Sequence, residues 1–428
     1  MNPDGSGQRP YMFTNSYFPA SFFFARPIPG HSSEMVGIAT GHHGTARMGR
    51  MLIADPALGV NEADGVVQEL PGYGKKVEPI VIDPLASGVF PCITHPYPLA
   101  QSETNAGGGD FFLVSMKRNK KDSLWGVYLV DRFDNAVLLH EAEGEGYFEP
   151  TPFKPRQRPP VIPSLIDPKS DKATLYIQDI YAGPGLKDVP RGTVKNLRIG
   201  SYQFSIHGGG GGHTGAIGVD SGWDIKTIIG VTPVNEDGSI TCEIPSKTPL
   251  FFQPLDEQGR ALQGMRTWAT AMGGERMSCV GCHESINEVP SPRATLASRQ
   301  TPESLKEWLG PERPLSFAHE IQPILDAKCV SCHDGEPANG RYETNRPEFI
   351  ERIPDLRHRM IDIEGYRIRS QGTARAANLP RGYGGLYTES YVQLHNLVRH
   401  PGVESPMAVL NATEFGSSTS ELSQILRK

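Results

Sequence analysis

Short apolar runs that stop at turn residues set the pattern of the first third of the chain. Met51-Leu52-Ile53-Ala54 ends at Asp55 with Gly59 close behind, and Val127-Tyr128-Leu129-Val130 ends at Asp131 ahead of Asp134-Asn135. A strand that ends in Asp and reverses at Gly or Asn predicts a hairpin. Met1–Gly7, around Asp4, reads as the turn half of a further copy. Recurrence of the unit predicts propeller blades over 1–148. The markers Asp4, Asp55 and Asp131 are unevenly spaced, 51 and 76 residues apart, which leaves an irregular β domain as the alternative.

From 149 to 275 the pattern stays β. Prolines 150, 152, 155, 159, 160, 163 and 168 predict an extended strap or linker, because proline fixes φ and removes ladder donors. Ala173–Ile177 is a strand candidate, and Ile240-Thr241-Cys242-Glu243-Ile244 alternates in period two after the Asp237-Gly238 turn. That alternation places Cys242 with Ile240 and Ile244 on a core face. After 276 the spacing turns helical. Thr301, Pro302 and Gly310 bracket a helix with Leu305, Trp308 and Leu309 as its stripe. Phe317, Ile321, Ile324 and Leu325 form a second stripe, and Tyr391, Leu394, His395 and Val398 a third. Ser418 to Glu421 forms a capping box for a last helix carrying Leu422, Ile425 and Leu426. The fold class expected is multidomain and mainly β: a partial propeller over 1–148, a β-rich middle domain over 149–275 with its strap at 150–168, and a helical domain over 276–428. Both chain ends read as cuts through ordered elements.

Composition supports the β reading. The 428 residues include 47 Gly and 37 Pro, about a fifth of the chain, against the ~12% usual for the two together. The net charge of −6 lacks the basic footprint of a nucleic-acid binder. No apolar run approaches the ~18 residues of a membrane span. Phe18–Ala25 is too short for a signal peptide and has no basic segment before it.

The chemistry sits in the cysteines. Four of the six fall in Cys279-Val280-Gly281-Cys282-His283 and Cys329-Val330-Ser331-Cys332-His333. This is the spacing of covalent haem c attachment: two thiols bond the porphyrin vinyl groups, and the next His becomes the proximal iron ligand. Two haem c groups per chain are therefore expected, with His283 and His333 as proximal ligands. A zinc ribbon places its pairs ~15–20 residues apart, whereas 46 residues separate Cys282 from Cys329. Haem c attachment is extracytoplasmic, so a periplasmic or other exported location follows. There Cys92 and Cys242 could pair, although two separate buried thiols are the simpler reading.

Other metal ligands are candidates by position alone. His395 lies on the Tyr391/Val398 face and is the candidate distal ligand. His319 and His358 read as solvated, and Met407 is a weaker axial candidate. His42-His43 and the glycine loop His207–His213 could hold a metal, but a blade turn and a mobile loop are the default readings. The glycine loop has no Lys-Ser/Thr after it and so is not a P-loop.

The residues resemble the hydrazine synthase alpha-subunit family of planctomycete bacteria. The resemblance runs from Gly41-His42-His43-Gly44 through Tyr147-Phe148-Glu149-Pro150-Thr151-Pro152, Phe252–Arg260 and Met265-Arg266-Thr267-Trp268 to both cysteine motifs. It implies a propeller, a middle domain and a dihaem cytochrome domain in that order. It also implies that the chain lacks the upstream propeller and the extreme C-terminus, where relatives continue past the Lys428 position into a Gly-His pair. The implied reaction joins nitric oxide and ammonium into hydrazine, with electrons delivered through haems. In hydrazine-forming members a tyrosine one turn past the first motif takes the iron and frees the motif His for a nearby metal. Here that position is Asn287, which argues against hydrazine formation and keeps His283 as the expected ligand.

Two functions follow. One is a catalytic redox subunit acting on small nitrogen compounds, with a redox partner protein or other subunits. The other is a non-catalytic electron-transfer cytochrome on a propeller docking scaffold. Open coordination at one iron separates the first from the second.

Overall fold

Buried and half-buried positions alternate along Gly126–Asp131 and give that strand one core face, while Met35–Thr40 and Arg50–Ala54 are buried almost throughout. β1 (Ser21–Pro27), β2 (Met35–Thr40), β3 (Arg50–Ala54) and β4 (Val66–Leu70) form one antiparallel meander. β5 (Cys92–Pro98), β6 (Phe111–Lys117), β7 (Gly126–Asp131) and β8 (Ala136–His140) form a second. This is a computed structural model; it describes the chain outside residues 9–10, 14–20, 42–46, 61–62, 75–88, 102–107, 156–157, 159, 205–223, 266, 283–290, 292, 338–352, 363–366, 370–375, 379–385, 396, 399–409 and 428.

The two sheets share one core that includes Ile38, Met51 and Ile53 from the first and Ile93, Phe112, Val114 and Tyr128 from the second. The Asp markers occupy equivalent turns between the third and fourth strands. Asp55 Oδ1 accepts from Ala57 N at 2.9 Å, and Asp131 Oδ1 accepts from Phe133 N at 2.9 Å. A second repeat was not visible as sequence similarity. The first strand of each sheet shifts register around its fourth residue, between Phe23 and Arg26 and between Thr94 and Tyr97. The residues at those bulges, Phe24 (φ 56°) and His95 (φ 50°), are both left-handed, and their rings touch with centroids 4.1 Å apart. Two blade-like units are therefore present, and among the described residues they do not close a propeller ring.

The middle unit is a sandwich. β9 (Lys172–Ile177), β12 (Ile240–Pro245) and β14 (Arg276–Cys279) form one sheet in the order β12-β9-β14, with β14 parallel to β9. β10 (Asn196–Phe204), β11 (Asp224–Pro233), β13 (Leu250–Leu255) and β15 (Arg313–Pro314) form the other. Leu175, Ile177, Ile240, Cys242 and Ile244 face Leu197, Ile199 and Leu250 across the core. Cys242 is fully buried with its two isoleucine neighbours, as the period-two pattern requires. The strap stays exposed at Phe153, Val161 and Leu165, and its end is pinned where Leu165 N donates to Asp4 Oδ2 at 2.8 Å. The Asp4 turn thus braces the strap, and Gly7 N donates to Glu275 Oε1 at 2.7 Å beside β14.

The expected helix over 301–310 is absent. Its backbone groups are taken by sheet edges: Lys306 N donates to Val231 O at 2.9 Å, Val231 N to Lys306 O at 2.8 Å, and Glu243 N to Glu303 O at 2.8 Å. Leu305 instead joins the sandwich core, and Trp308 lies 4.6 Å from the Arg198 guanidinium. Tertiary pairing here overrides a helical pattern with good caps. The stripe at 317–325 does form a helix, a π-helical turn Phe317–Ile321 running into α1 (Gln322–Lys328). α2 (Glu389–His395) follows, and α3 (Glu421–Ile425) is capped by Ser420, two residues later than the expected Ser418. The described C-terminal part is therefore less helical than the sequence pattern implies. Its centre is polar: Gln322, Ser390, Thr388, Asp355 and Glu389 are all buried. Gln322 Nε2 donates to Leu356 O at 3.0 Å, and Ser390 Oγ donates to Gln322 Oε1 at 2.6 Å.

Candidate cofactor sites

The two cysteine motifs fold differently. In the second, Cys329 caps α1, its N donating to Leu325 O at 2.8 Å. Cys332 N and His333 N both donate back to Cys329 O, at 3.0 and 2.9 Å. The motif is one helical turn, and a turn brings residues three apart to the same side. Both thiols and the imidazole thus project from a single short segment. Leu356 N donates to His333 O at 3.0 Å, which ties that turn to the strand-like segment carrying Asp355. His333 Nδ1 is buried with no hydrogen-bond partner among the described residues. Burial pushes the imidazole below its ordinary pKa, outweighing the opposing pull of Asp334 and of the Pro354 carbonyl, so it is held neutral. A half-buried, neutral imidazole with a buried ring nitrogen that lacks a hydrogen-bond partner, beside two thiols, fits an iron ligand. Ile321 and Ile324 remain exposed along the helix leading into the motif and supply apolar surface of the kind a porphyrin covers.

In the first motif the chain is extended. Cys279 is the last residue of β14, so the strand pairing places this cysteine in the middle unit, not in a separate helical domain that starts at 276. Its carbonyl accepts from Gln178 N at 3.0 Å, the Val280 carbonyl from Asp179 N at 2.9 Å, and the Cys282 carbonyl from Gly185 N at 3.1 Å. Both cysteines are half-buried against the sandwich core, and no disulfide links any of the six cysteines. Two half-buried cysteines three residues apart, with their carbonyls fixed by the 178–185 loop, fit covalent attachment. His283 and Asn287 lie outside the described residues, as do His42, His43, His207, His213 and Met407. His319 and His358 are solvent-exposed, as expected. His395 is half-buried on α2 with its ring 5.7 Å from that of Tyr391, and its neighbour Leu394 shares a cluster with Cys329. Cys242 sits in the sandwich core and Cys92 is buried at the start of β5, and burial pushes their thiols up to about 12 and about 11.

The structure adds residues that sequence spacing did not indicate. Asp179, Arg191 and Arg293 cluster beside the first motif: Arg191 Nη1 and Nη2 lie 3.0 and 3.1 Å from the two Asp179 oxygens, and Arg293 Nη2 lies 3.0 Å from Oδ2. Near the second motif Asp355 and Glu389 hold Arg357 and Arg359. Arg357 Nε and Nη2 donate to Asp355 at 2.8 and 2.7 Å, while Arg359 pairs with Glu389.

The first motif closes a stretch of chain that is similar to a known family. Residues 192–284, from just before β10 past His283, match the hydrazine synthase alpha subunit middle domain. The chain is 25% identical over 220 residues to the hydrazine synthase subunit alpha of Kuenenia stuttgartiensis, a match that takes in 36% of this chain and 27% of that one. Its fold superposes on a chain of Kuenenia stuttgartiensis hydrazine synthase with a TM-score of 0.56 at 17% identity, over 91% of this chain and 53% of that one. The chain thus spans about half of that solved chain and a smaller share of the curated subunit. The family's middle domain ends one residue after His283, in keeping with the sheet pairing that draws Cys279 into the sandwich.

Proposed function

We propose that this hydrazine synthase alpha-type chain is an extracytoplasmic redox protein that carries two covalent haem c groups. Cys279 and Cys282 hold one with His283 as proximal ligand. Cys329 and Cys332 hold the other with His333. When bound, such groups supply reversible one-electron chemistry at iron. The observation that carries the reading is the second motif: one helical turn presents two thiols and a neutral, half-buried imidazole with a buried, unsatisfied ring nitrogen. The protein's own groups do the rest. The cysteines would fix each porphyrin, burial lowers the pKa of His333, and α2 carries Leu394, next to His395, into the cluster that holds Cys329.

The role follows from relatives named for hydrazine synthesis, with Asn287 in place of the tyrosine that the resemblance calls for. The function is electron transfer within an assembly of subunits or to a redox partner, with catalysis on small nitrogen compounds if one iron keeps an open position. Protein made in a strain competent for haem c maturation is expected to retain two haems per chain after denaturation in acid–organic solvent. Cys279→Ala/Cys282→Ala and Cys329→Ala/Cys332→Ala should each remove one. Release of all haem into the organic phase would refute covalent attachment. Binding of carbon monoxide by the reduced protein would favour the catalytic role, since saturated iron cannot take a ligand.

A further inference from the structure

The segment 279–282 does not hold its own shape. In the second motif the Cys329 carbonyl closes a helical turn, whereas in the first the Cys279, Val280 and Cys282 carbonyls are all spent on Gln178, Asp179 and Gly185. The loop 178–185 is therefore the mould for the first cysteine pair. The contact is close. A Cβ on Gly281 would lie 2.3 Å from Ala182 O and 2.6 Å from Asp179 O, and one on Gly185 would lie 2.5 Å from Cys282 Sγ.

That mould is in turn set by one carboxylate. Asp179 Oδ1 accepts from Tyr181 N at 3.1 Å, which shapes the turn into 182–185. Its two oxygens take the Arg191 fork, and Arg191 Nη2 also donates to Asp237 O at 2.8 Å. Arg191 further lies over the Tyr181 ring at 5.0 Å. Arg293 reaches the same carboxylate from the far side of the cysteine-bearing segment, and Gln178 Nε2 donates to Ser291 O at 3.0 Å. Val280 and Ser291 are thereby both fastened to residues 178 and 179. A carboxylate only 13% exposed and shared by two guanidiniums is a stronger tie than a surface pair, because its hydrogen bonds are charge-assisted and screened little by water.

We propose that Asp179, clamped by Arg191 and Arg293, is a positioning residue that sets the geometry in which Cys279 and Cys282 meet the first haem. This rests on the reading that the first pair carries haem. The second motif, a self-contained helical turn, needs no such clamp.

The experiment isolates each haem in the full chain. In the Cys329→Ala/Cys332→Ala background the remaining haem reports on the first motif, and in the Cys279→Ala/Cys282→Ala background it reports on the second. Asp179→Asn is expected to lower covalent haem per chain in the first background and to broaden or shift the electron paramagnetic resonance signal of what remains. In the second background it should change neither. Arg293→Gln, a milder change at a half-exposed side chain, should shift the first signal in the folded protein, and Arg293→Lys should restore it in part. A purely structural role would lower haem content in both backgrounds alike. That result, or an unchanged first signal in Asp179→Asn and Arg293→Gln, overturns the proposal. If the Cys329→Ala/Cys332→Ala protein with Asp179 intact holds no haem, the assignment of the first motif itself falls, and the proposal with it.

Discussion

Gly281→Ala places a single methyl group into the tightest contact around either motif. The added Cβ would come within 2.3 Å of Ala182 O, 2.6 Å of Asp179 O and 2.7 Å of Ala182 Cβ. Ordinary contact begins near 3.4 Å, so the segment must back away by about an ångström, and the obstructing atoms are mostly backbone. Overpacking of this kind costs ~1–3 kcal/mol. The retreat also stretches the bonds from Asp179 N to Val280 O and from Gly185 N to Cys282 O, now 2.9 and 3.1 Å, each with a net value of ~1 kcal/mol. The sum is ~3–5 kcal/mol. At ~2–4 °C per kcal/mol for a domain of this size the melting midpoint should fall by about 6–20 °C. The control is Gly264→Ala, where an added Cβ meets nothing within 4 Å and φ is not positive. It should be neutral or gain up to ~1 kcal/mol from the stiffer unfolded chain. Thermal unfolding followed by near-ultraviolet circular dichroism measures both, and haem staining shows whether the first motif is still loaded. A Gly281→Ala protein that melts within about a degree of wild type with full haem would mean that the 179–182 loop yields freely, and the mould argument would fail.

Three further outcomes are expected. His333→Ala should keep haem bonded to Cys329 and Cys332 but alter its spectrum, whereas a spectrum identical to wild type would remove His333 as the ligand. In native protein at pH 8, Cys92 and Cys242 should resist iodoacetamide, because burial raises their thiols to about 11 and about 12 and leaves thiolate at about one part in a thousand or less; mass spectrometry of labelled peptides reads this directly, and labelling before unfolding would contradict it. The Asp355 carboxyl is held below its ordinary value, first by its hydrogen bonds to Arg357. Its contribution to stability is thus complete above the unfolded-state value and is lost as pH falls through the folded one, so acid titration of the melting midpoint should show a drop below pH 4 that is smaller in Asp355→Asn.

The chain by itself determined what depends on local pattern and on covalent chemistry. Period-two alternation put Cys242 in the core, and Asp-ended strands marked the turns at Asp55 and Asp131, because both signals are written in residues next to one another. The cysteine motifs were legible as a repeated five-residue spacing of two thiols and an imidazole, which is written within the segment whatever surrounds it. What the tertiary structure decided is where non-local hydrogen bonds compete with local preference. Residues 301–310 have a helix's caps and stripe, yet Val231 and Glu243 on two sheet edges claim their backbone groups. The two motifs, alike in spacing, differ in shape because Cys329 ends a helix and Cys279 ends a strand. The Asp179 clamp joins residues more than a hundred positions apart, Asp179 with Arg293, and no spacing rule reaches that far; only the closing of the sandwich brings one carboxylate between two guanidiniums.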